Sequence, residues 1–215
     1  MSLALSTVAD TLSRHLPIYR VRKPVYQAAM LESLRSVWDP STRRVLDVGG
    51  GTGVIGQAIS ELFPVEEVVS VDVENRFLPS LSIQTLTYDG RSLPFEAGRF
   101  DGVLFNNVIH HVEPEDRLPL LKECRRVAPK GVLLIKDHLA SSWLDHARLG
   151  ILDLIGNVPF SGMIKARYLS DAQWRELAAA AGYQIETAAP ARYRGWLFAL
   201  FFPNRLETTM RWRPV

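Results

Sequence analysis

The chain has 215 residues, enough for one domain with a full buried core. Its 25 basic and 23 acidic residues give a net charge of +2, which provides no broad electrostatic surface for nucleic acid. One cysteine, Cys124, excludes a disulfide framework, and the N-terminus lacks the basic opening of a signal peptide, so we expect a cytoplasmic protein.

The first third of the chain contains its most informative segment, residues 45–53. Before it, residues 3–38 have the pattern of two helices interrupted around Pro17 and Pro24. A short apolar strand then carries Asp47, and glycines alternate at positions 49, 51 and 53. Glycine permits positive φ and lets a ligand approach the backbone closely. Helical spacing of apolar residues follows as far as Pro64, so the segment is predicted as strand, glycine turn and helix, the context of a nucleotide-type site.

Two kinds of ligand fit such a turn. Residues 51–56 match the G-x-G-x-x-G pattern, in which a pyrophosphate of an NAD-type cofactor lies on the helix N-terminus. Asp47 favours a different ligand, because a carboxylate at the strand end repels a pyrophosphate and attracts an ammonium group.

Polar residues follow each of the next apolar stretches. Asp72 lies near the end of the stretch at 68–73, where a carboxylate can accept hydrogen bonds from both ribose hydroxyls. Asp89 follows the stretch at 83–88, and Asn106 ends a strand at 102–107 that leads to a pair of histidines. Because sites in open α/β sheets lie outside the carboxyl ends of the strands, these residues are predicted to share one rim.

The C-terminal part begins with an unusually long connection. Residues 141–169 are too many for a simple strand-to-helix link, so they predict a lid or an added helix. Ser170 and Gln173 form a capping box that opens the next helix, and Gly182 closes it. Two strands are predicted at 183–188 and 196–202, the second apolar throughout as a strand buried on both faces would be.

The order of motifs over residues 45–137 resembles that of the class I S-adenosylmethionine-dependent methyltransferases. The turn with Asp47 resembles the first motif of that family, residues 93–101 resemble its L-P-F-x-x-x-x-F-D pattern, and residues 125–135 resemble its helix, turn and fifth strand. The resemblance implies an α/β fold: a doubly wound, mainly parallel seven-stranded sheet with helices on both faces and its last strand antiparallel. The chain would be a single domain comprising an N-terminal helical cap (1–42), a cofactor-binding core (43–140), a lid or acceptor insertion (141–169), and a C-terminal helix and strand pair (170–215).

The resemblance also implies a cofactor and its binding residues. The cofactor would be S-adenosylmethionine and the product S-adenosylhomocysteine, with Asp89 as the acid that contacts adenine. The implied cofactor-binding residues are Asp47, Gly49, Gly51, Gly53, Asp72, Val73, Asp89, Gly90 and Asn106.

Methyl transfer needs a base only when the acceptor is protonated at neutral pH. His111 and His138 are the predicted catalytic residues, because both follow core strands and histidine titrates near neutrality. His110 and His111 cannot both face one site on regular structure, and Asp137 could orient His138. A metal held by His111, Asp137 and His138, as in metal-dependent O-methyltransferases, is conceivable, but the prediction is no metal.

An apolar pocket would favour an aromatic or lipid-like acceptor. A predicted roof over the rim consists of Trp143, Leu149, Leu152, Ile155, Phe160 and Met163, with Tyr19 and Tyr26 as further walls, although any of these can equally be core. Arg167, Arg192 and Arg194 could bind an anionic group of the acceptor. The only hint of a membrane-surface or nucleic-acid contact is a basic aromatic tail of Arg205, Arg211, Trp212 and Arg213.

The expected function is therefore methyl transfer to a small molecule. The chain most resembles the small-molecule branch of the family, and it lacks the Asn-Pro-Pro-Tyr-like motif of amino-modifying methyltransferases, so oxygen is the favoured acceptor atom. Carbon methylation of quinone or natural-product type is the alternative within the family. An NAD-type oxidoreductase and a non-catalytic cofactor-binding module are the alternatives outside it. We expect no nucleic-acid partner and no integral membrane contact, and both a monomer and a homodimer stay open.

Overall fold

Strands and helices alternate along most of the chain. The structure is a computed structural model that describes residues 3–157, 166–190 and 194–215. The strands are β1 Arg44–Val48, β2 Glu67–Asp72, β3 Gln84–Thr87, β4 Gly102–Asn106, β5 Val132–His138, β6 Tyr183–Pro190 and β7 Glu207–Pro214. The α-helices are α1 Leu5–Ser13, α2 Val25–Ser36, α3 Val54–Leu62, α4 Pro114–Val127, α5 Trp143–Asn157, α6 Asp171–Ala180 and α7 Trp196–Phe201.

The strands form one 7-stranded sheet in the order β3-β2-β1-β4-β5-β7-β6. β1 pairs in parallel with β2 on one side and with β4 on the other, so the strand order reverses at β1. β7 lies between β5 and β6 and is antiparallel to both. The predicted doubly wound sheet with an antiparallel last strand is confirmed. At the reversal point two connections leave in opposite directions, which opens a crevice at the carboxyl ends of the strands.

The sheet is buried on both faces because side chains alternate along each strand. Leu46 and Val48 point to a core that includes Leu121 of α4 and Trp174 of α6. Val45 points to the opposite core, which is built on apolar residues from the three N-terminal helices α1, α2 and α3. The predicted N-terminal helices therefore cover one face of the sheet.

Local signals place the helix ends as predicted. Ser170 Oγ accepts a hydrogen bond from the Gln173 backbone N–H at 3.3 Å, and Gln173 Oε1 accepts one from the Ser170 N–H at 2.9 Å. This capping box begins α6, and Gly182 follows the helix with φ 77°. None of the helices in the described ranges is long and apolar enough to cross a membrane.

The predicted strand at 196–202 is wrong. Residues Trp196–Phe201 form α7, and the side chains of Trp196 and Leu200 are 79% and 67% exposed. The last strand is instead Glu207–Pro214, in which Met210 and Trp212 alternate with arginines and pack into the core. An unbroken apolar run of this length fits a short helix as well as a strand, so it does not by itself place the segment in the sheet.

The interpretation of a basic aromatic tail is also wrong. Trp212 is fully buried, and Arg211 and Arg213 form ion pairs with Glu186 and Asp39. Arg205 likewise pairs with Asp145, at 2.8 Å. Each of these arginines has a carboxylate partner, and the tryptophan of the predicted tail is not at the surface.

A buried ion-pair network joins β5 to β7 and to the helical cap. Lys136 is fully buried, and its Nζ lies 2.6 Å from Glu207 Oε2. The same Nζ donates hydrogen bonds to Tyr26 Oη at 2.6 Å and to Asn107 Oδ1 at 2.8 Å. Arg194 contacts the other carboxylate oxygen of Glu207. Burial would raise the pKa of Glu207, but the charges of Lys136, His138 and Arg194 lower it to about 2.

We expect Glu207→Gln to lower the free energy of unfolding by about 3–5 kcal/mol, because it leaves two buried cations without their counter-charge. Chemical denaturation monitored by circular dichroism measures this loss. Glu186→Gln is the matched control: Glu186 pairs with Arg211 and Arg213 but its side chain is 40% exposed, so its loss should stay below about 1 kcal/mol. Equal losses in the two variants would contradict the central role of Glu207.

Candidate active site

A cavity of about 430 Å³ opens at the carboxyl ends of β1, β2 and β4, where the strand order reverses. Backbone from the glycine turn after β1 forms one wall, and residues from the N-terminal segment form another. Its lining includes Leu16, Tyr19, Gln27, Asp47, Gly49, Gly51, Asp72, Val73, Arg76, Tyr88, Gly90, Asn106, Asn107, Val108, His111, Val112 and Glu113. A site of this size at this place is typical of small-molecule and cofactor binding.

The glycine turn presents bare backbone to the cavity. Gly49 and Gly51 have φ values of 75° and 58°, which disfavour any residue with a Cβ. A Cβ on Gly49 would lie 2.6 Å from Val108 Cγ2, whereas a Cβ on Gly51 would meet no atom within 4 Å. Gly51 therefore borders open space that a ligand can occupy. Gly53 caps the N-terminus of α3 with φ 77° and does not line the cavity.

Asp47 lies beneath the turn. Its Oδ2 accepts a hydrogen bond from Ser70 Oγ at 2.8 Å, and a Cβ on Gly50 would approach the same oxygen to 2.7 Å. Burial raises the pKa of Asp47 to about 6, with the Ser70 hydrogen bond acting against this rise and the charge of Asp72 adding to it. At neutral pH the carboxylate is charged, so this wall favours a cationic group and opposes a phosphate.

Asp72 holds the turn from the end of β2. Its Oδ2 accepts a hydrogen bond from the Gly51 N–H at 2.7 Å, its Oδ1 accepts one from the Glu74 N–H at 3.0 Å, and Arg76 lies 3.5 Å from Oδ1. Val73, next in the chain, lines the cavity. Because the Asp72 carboxylate holds the glycine turn, a ligand that binds to this carboxylate would also contact the support of the turn.

The turn after β3 contributes Tyr88 and Gly90 to the cavity, but not Asp89. Asp89 is exposed, and its Oδ1 accepts hydrogen bonds from the backbone N–H groups of Arg91 and Ser92 at 2.8 and 2.7 Å. Its side chain therefore stabilises the local turn. Of the two residues predicted here to bind the cofactor, Gly90 lines the cavity and Asp89 does not.

The end of β4 supplies two asparagines. Asn106 lines the cavity, and its buried Oδ1 has no hydrogen-bond partner among the described residues. Asn107 has φ 56°, the one positive value for a non-glycine residue in the described ranges. Its side chain is held by Tyr26 and Lys136, which stabilise this strained conformation. The sequence prediction missed Asn107, although asparagine after a core strand is a residue type that tolerates this region.

The two adjacent histidines face different surroundings. Residues Ile109–His111 form a 3₁₀ turn, and His111 lines the cavity while the His110 side chain is fully buried. His110 Nδ1 is hydrogen-bonded to Asp137 Oδ1. Burial alone would lower the pKa of His110, but the charges and hydrogen bonds of Asp137 and Asp153 together raise it to about 9. His110 and Asp137 therefore form a buried pair behind the cavity wall.

His138 does not line the cavity. It is 5% exposed, and its Nε2 lies 3.3 Å from Asp153 Oδ1. Asp153, on α5, also accepts a hydrogen bond from Tyr168 Oη at 2.6 Å. Burial lowers the pKa of His138. The set His111, Asp137 and His138 weighed from the sequence as metal ligands does not converge, because His111 points to the cavity and the other two point into the interior.

Two residues of the predicted apolar roof belong to a small core instead. Leu149 is buried with Ala140, Tyr168 and Leu206, and Leu152 packs against them. Trp143 is 80% exposed, and Tyr19 is the predicted wall residue that lines the cavity. Two of the arginines predicted to bind an anionic group of the acceptor have carboxylate partners. Arg194 forms an ion pair with Glu207, and Arg167 lies 3.4 Å from Glu113. The roles predicted for the Ile155 side chain and for Phe160, Met163 and Arg192 fall outside the described residues.

Comparisons with known proteins agree with this geometry. Residues 46–135 match the family model described as a methyltransferase domain. A flavonoid 4'-O-methyltransferase from Glycine max is 24% identical over 157 residues, which cover 71% of this chain and 43% of the relative. The chain thus spans less than half the length of such relatives.

Solved structures share the fold over nearly the whole chain. A possible histamine N-methyltransferase from Thermotoga maritima has a TM-score of 0.64 at 17% identity, covering 96% of this chain and 99% of that one. Magnesium protoporphyrin IX methyltransferase from Synechocystis, solved with bound S-adenosylhomocysteine, has a TM-score of 0.61 at 14% identity, covering 92% and 87%. Residues 46–135 therefore match a methyltransferase domain, and the sheet order around them is that of a Rossmann-like fold.

Proposed function

We propose that the protein transfers the methyl group of S-adenosylmethionine to an oxygen of a small, aromatic or lipid-like acceptor, with His111 taking the acceptor's proton. The observation that carries this proposal is one continuous cavity whose lining joins the glycine turn and Asp72 to His111 and Tyr19. Cofactor and acceptor would then lie side by side, which supports transfer by positioning. The expected cytoplasmic location, the monomeric or homodimeric state and the four segment boundaries stay predictions.

The residues at the glycine turn fit the cofactor of the family. Asn106 Oδ1 is a buried acceptor without a partner in the described structure, and Gly51 borders open space. Asp72 would hold the ribose hydroxyls, Asp47 would favour the ammonium end, and Gly90 would border the base. An NAD pyrophosphate at the same turn would instead meet the charge of Asp47, which opposes it.

The far part of the cavity has the character expected for an apolar acceptor. Leu16 and Tyr19 come from the N-terminal segment, and Val108 and Val112 flank the 3₁₀ turn of His111 along the chain. Apolar walls of this kind exclude water and hold a flat or hydrocarbon-like molecule. When bound, S-adenosylmethionine would supply an electrophilic methyl group on its sulfonium, and the neutral thioether S-adenosylhomocysteine would be the leaving group.

His111 is the titratable imidazole that faces this region. An acceptor hydroxyl would lose its proton to His111 as its oxygen becomes the nucleophile, and the product would be a methyl ether. His138, the other predicted base, is buried outside the cavity lining. The curated relatives support oxygen as the acceptor atom, since they carry names such as norreticuline-7-O-methyltransferase and chavicol O-methyltransferase.

We expect Asp72→Ala to weaken S-adenosylhomocysteine binding by about 2–4 kcal/mol, because each hydrogen bond to a charged acceptor contributes about 1.5–3 kcal/mol and two are proposed. Titration calorimetry measures the change. Asp72→Asn keeps an acceptor for the Gly51 N–H and so separates loss of the charge from loss of the turn. Glu66→Ala, an exposed acid before the opposite end of β2, should bind normally. Tight NAD binding without a response to S-adenosylhomocysteine would overturn the proposal.

We expect the affinity for S-adenosylhomocysteine to fall about tenfold between about pH 7.5 and about pH 5, because protonation removes the charge that attracts the ammonium group. The fall should centre on the raised pKa of Asp47, about 6. Asp47→Asn should bind more weakly and lose this dependence. A pH profile that stays the same in Asp47→Asn would show that another group is responsible.

With an acceptor in hand, we expect His111→Ala to lower turnover by about 10²- to 10⁴-fold and to remove a pH limb near neutrality. Incubating pooled small molecules with methyl-labelled cofactor identifies the acceptor, and mass spectrometry of the product shows whether oxygen or carbon is methylated. His15→Ala, outside the cavity lining, serves as the control. Normal turnover of His111→Ala across pH would leave positioning as the sole source of catalysis.

A further inference from the structure

Two imidazoles and a carboxylate converge outside the cavity. They belong to His110 after β4, His138 at the end of β5 and Asp153 on α5, and their ligating atoms all lie within 4.8 Å of one another. His138 Nε2 is 3.3 Å from Asp153 Oδ1, and His110 Nε2 is 3.5 Å from Asp153 Oδ2. Two ligands of one tetrahedral ion, each about 2.0–2.1 Å from it, are separated by about 3.4 Å.

Two ring nitrogens of the histidines in this cluster lack a hydrogen-bond partner among the described residues. They are His110 Nε2 and His138 Nδ1, and both are buried. Because His110 Nδ1 is occupied by Asp137, the second nitrogen of this ring is the one directed at Asp153. A carboxylate on the far nitrogen is the arrangement that orients metal-binding histidines and fixes their tautomer.

The cluster also holds two carboxylates, which a protonated His110 balances and which a metal ion would balance in its place. Asp137 and Asp153 are two buried carboxylates, and a buried charge is costly without a compensating partner. The buried guanidinium of Arg117 interacts electrostatically with the carboxylate of Asp137. In the described ranges, no lysine or arginine forms an ion pair with Asp153, whose contacts are the two imidazoles and the Tyr168 hydroxyl.

We propose that His110, His138 and Asp153 bind a divalent first-row transition metal, with Asp137 positioning His110. Two imidazoles and one carboxylate suit Zn²⁺, Co²⁺ or Fe²⁺ better than Mg²⁺ or Ca²⁺, which take oxygen ligands. Three protein ligands leave a coordination position for water or another oxygen ligand. The His111 ring, whose centroid is 4.0 Å from that of His110, separates this site from the cavity.

Cobalt binding to the full chain tests the site without cofactor or acceptor, so its outcome is independent of the proposed function. After chelator treatment and dialysis, Co²⁺ should bind with one equivalent and give the visible absorption of a low-coordinate cobalt site. Zn²⁺ should displace it and Mg²⁺ should not. Absence of a saturable spectrum, or displacement by Mg²⁺, would overturn the proposal.

Substitutions of the proposed ligands test whether the ion binds at this cluster. Asp153→Asn and His138→Gln should weaken Co²⁺ binding at least about 100-fold, and Asp137→Asn about 10- to 100-fold with the ligand-field spectrum retained. His146→Gln, an exposed histidine on the same helix as Asp153, should bind as the parent does. Unchanged binding in Asp153→Asn would refute the assignment. Should the variants fail to fold, X-ray absorption of the Zn²⁺-loaded parent must show scattering from two imidazoles, and its absence would refute it equally.

Discussion

The buried ammonium of Lys136 joins strand β5 to three other parts of the chain. From the middle of β5 it reaches Tyr26 of the helical cap, Asn107 after β4 and Glu207 at the start of β7. Through Glu207 it is linked to Arg194, just before α7. A lysine can be buried only if a counter-charge compensates its ammonium and acceptors take its hydrogen bonds. The elements that supply these groups therefore have to assemble together. The cap, the rim of the sheet and the antiparallel strand are thereby fixed relative to one another.

The rim that carries the site follows from this assembly. Asn107 keeps its positive φ because its side chain is held between Tyr26 and Lys136, and it is followed directly by the valine that packs against Gly49. Asp72 holds the opposite side of the same turn through the Gly51 N–H. The glycine turn is therefore supported from both neighbouring strands, β2 and β4. Such support keeps an otherwise mobile loop preorganised for a ligand.

The histidines near the rim divide between two environments. His111 is half-buried at the cavity, whereas His110 and His138 are directed into the interior toward Asp137 and Asp153. The 3₁₀ turn makes this division possible, because adjacent side chains on it point in different directions. The cavity wall at His111 thus lies next to a buried polar cluster, and α5 provides the carboxylate that completes that cluster.

Sequence alone determined the elements whose signals are local. The glycine turn needs positive φ, the capping box satisfies helix N–H groups within four residues, and parallel core strands show as apolar runs, so residues 44–62, α6 and the order of β1 to β5 were predictable. The motifs of that region also predicted the methyltransferase-domain match of residues 46–135 and the cavity acids Asp47 and Asp72.

Tertiary structure decided what depends on distant partners. The apolar run at Trp196–Phe201 is compatible with both a helix and a strand. Residues Glu207–Pro214 form the strand between β5 and β6 instead, because their apolar side chains pack into the core and their arginines pair with acidic residues. Asp89 faces its own turn because nearby backbone N–H groups compete for its carboxylate. Asp153 reaches His138 only because Leu149 and Leu152 of the same helix pack against residues outside α5. Burial and ion pairing are properties of the assembled chain, and no local pattern encodes them.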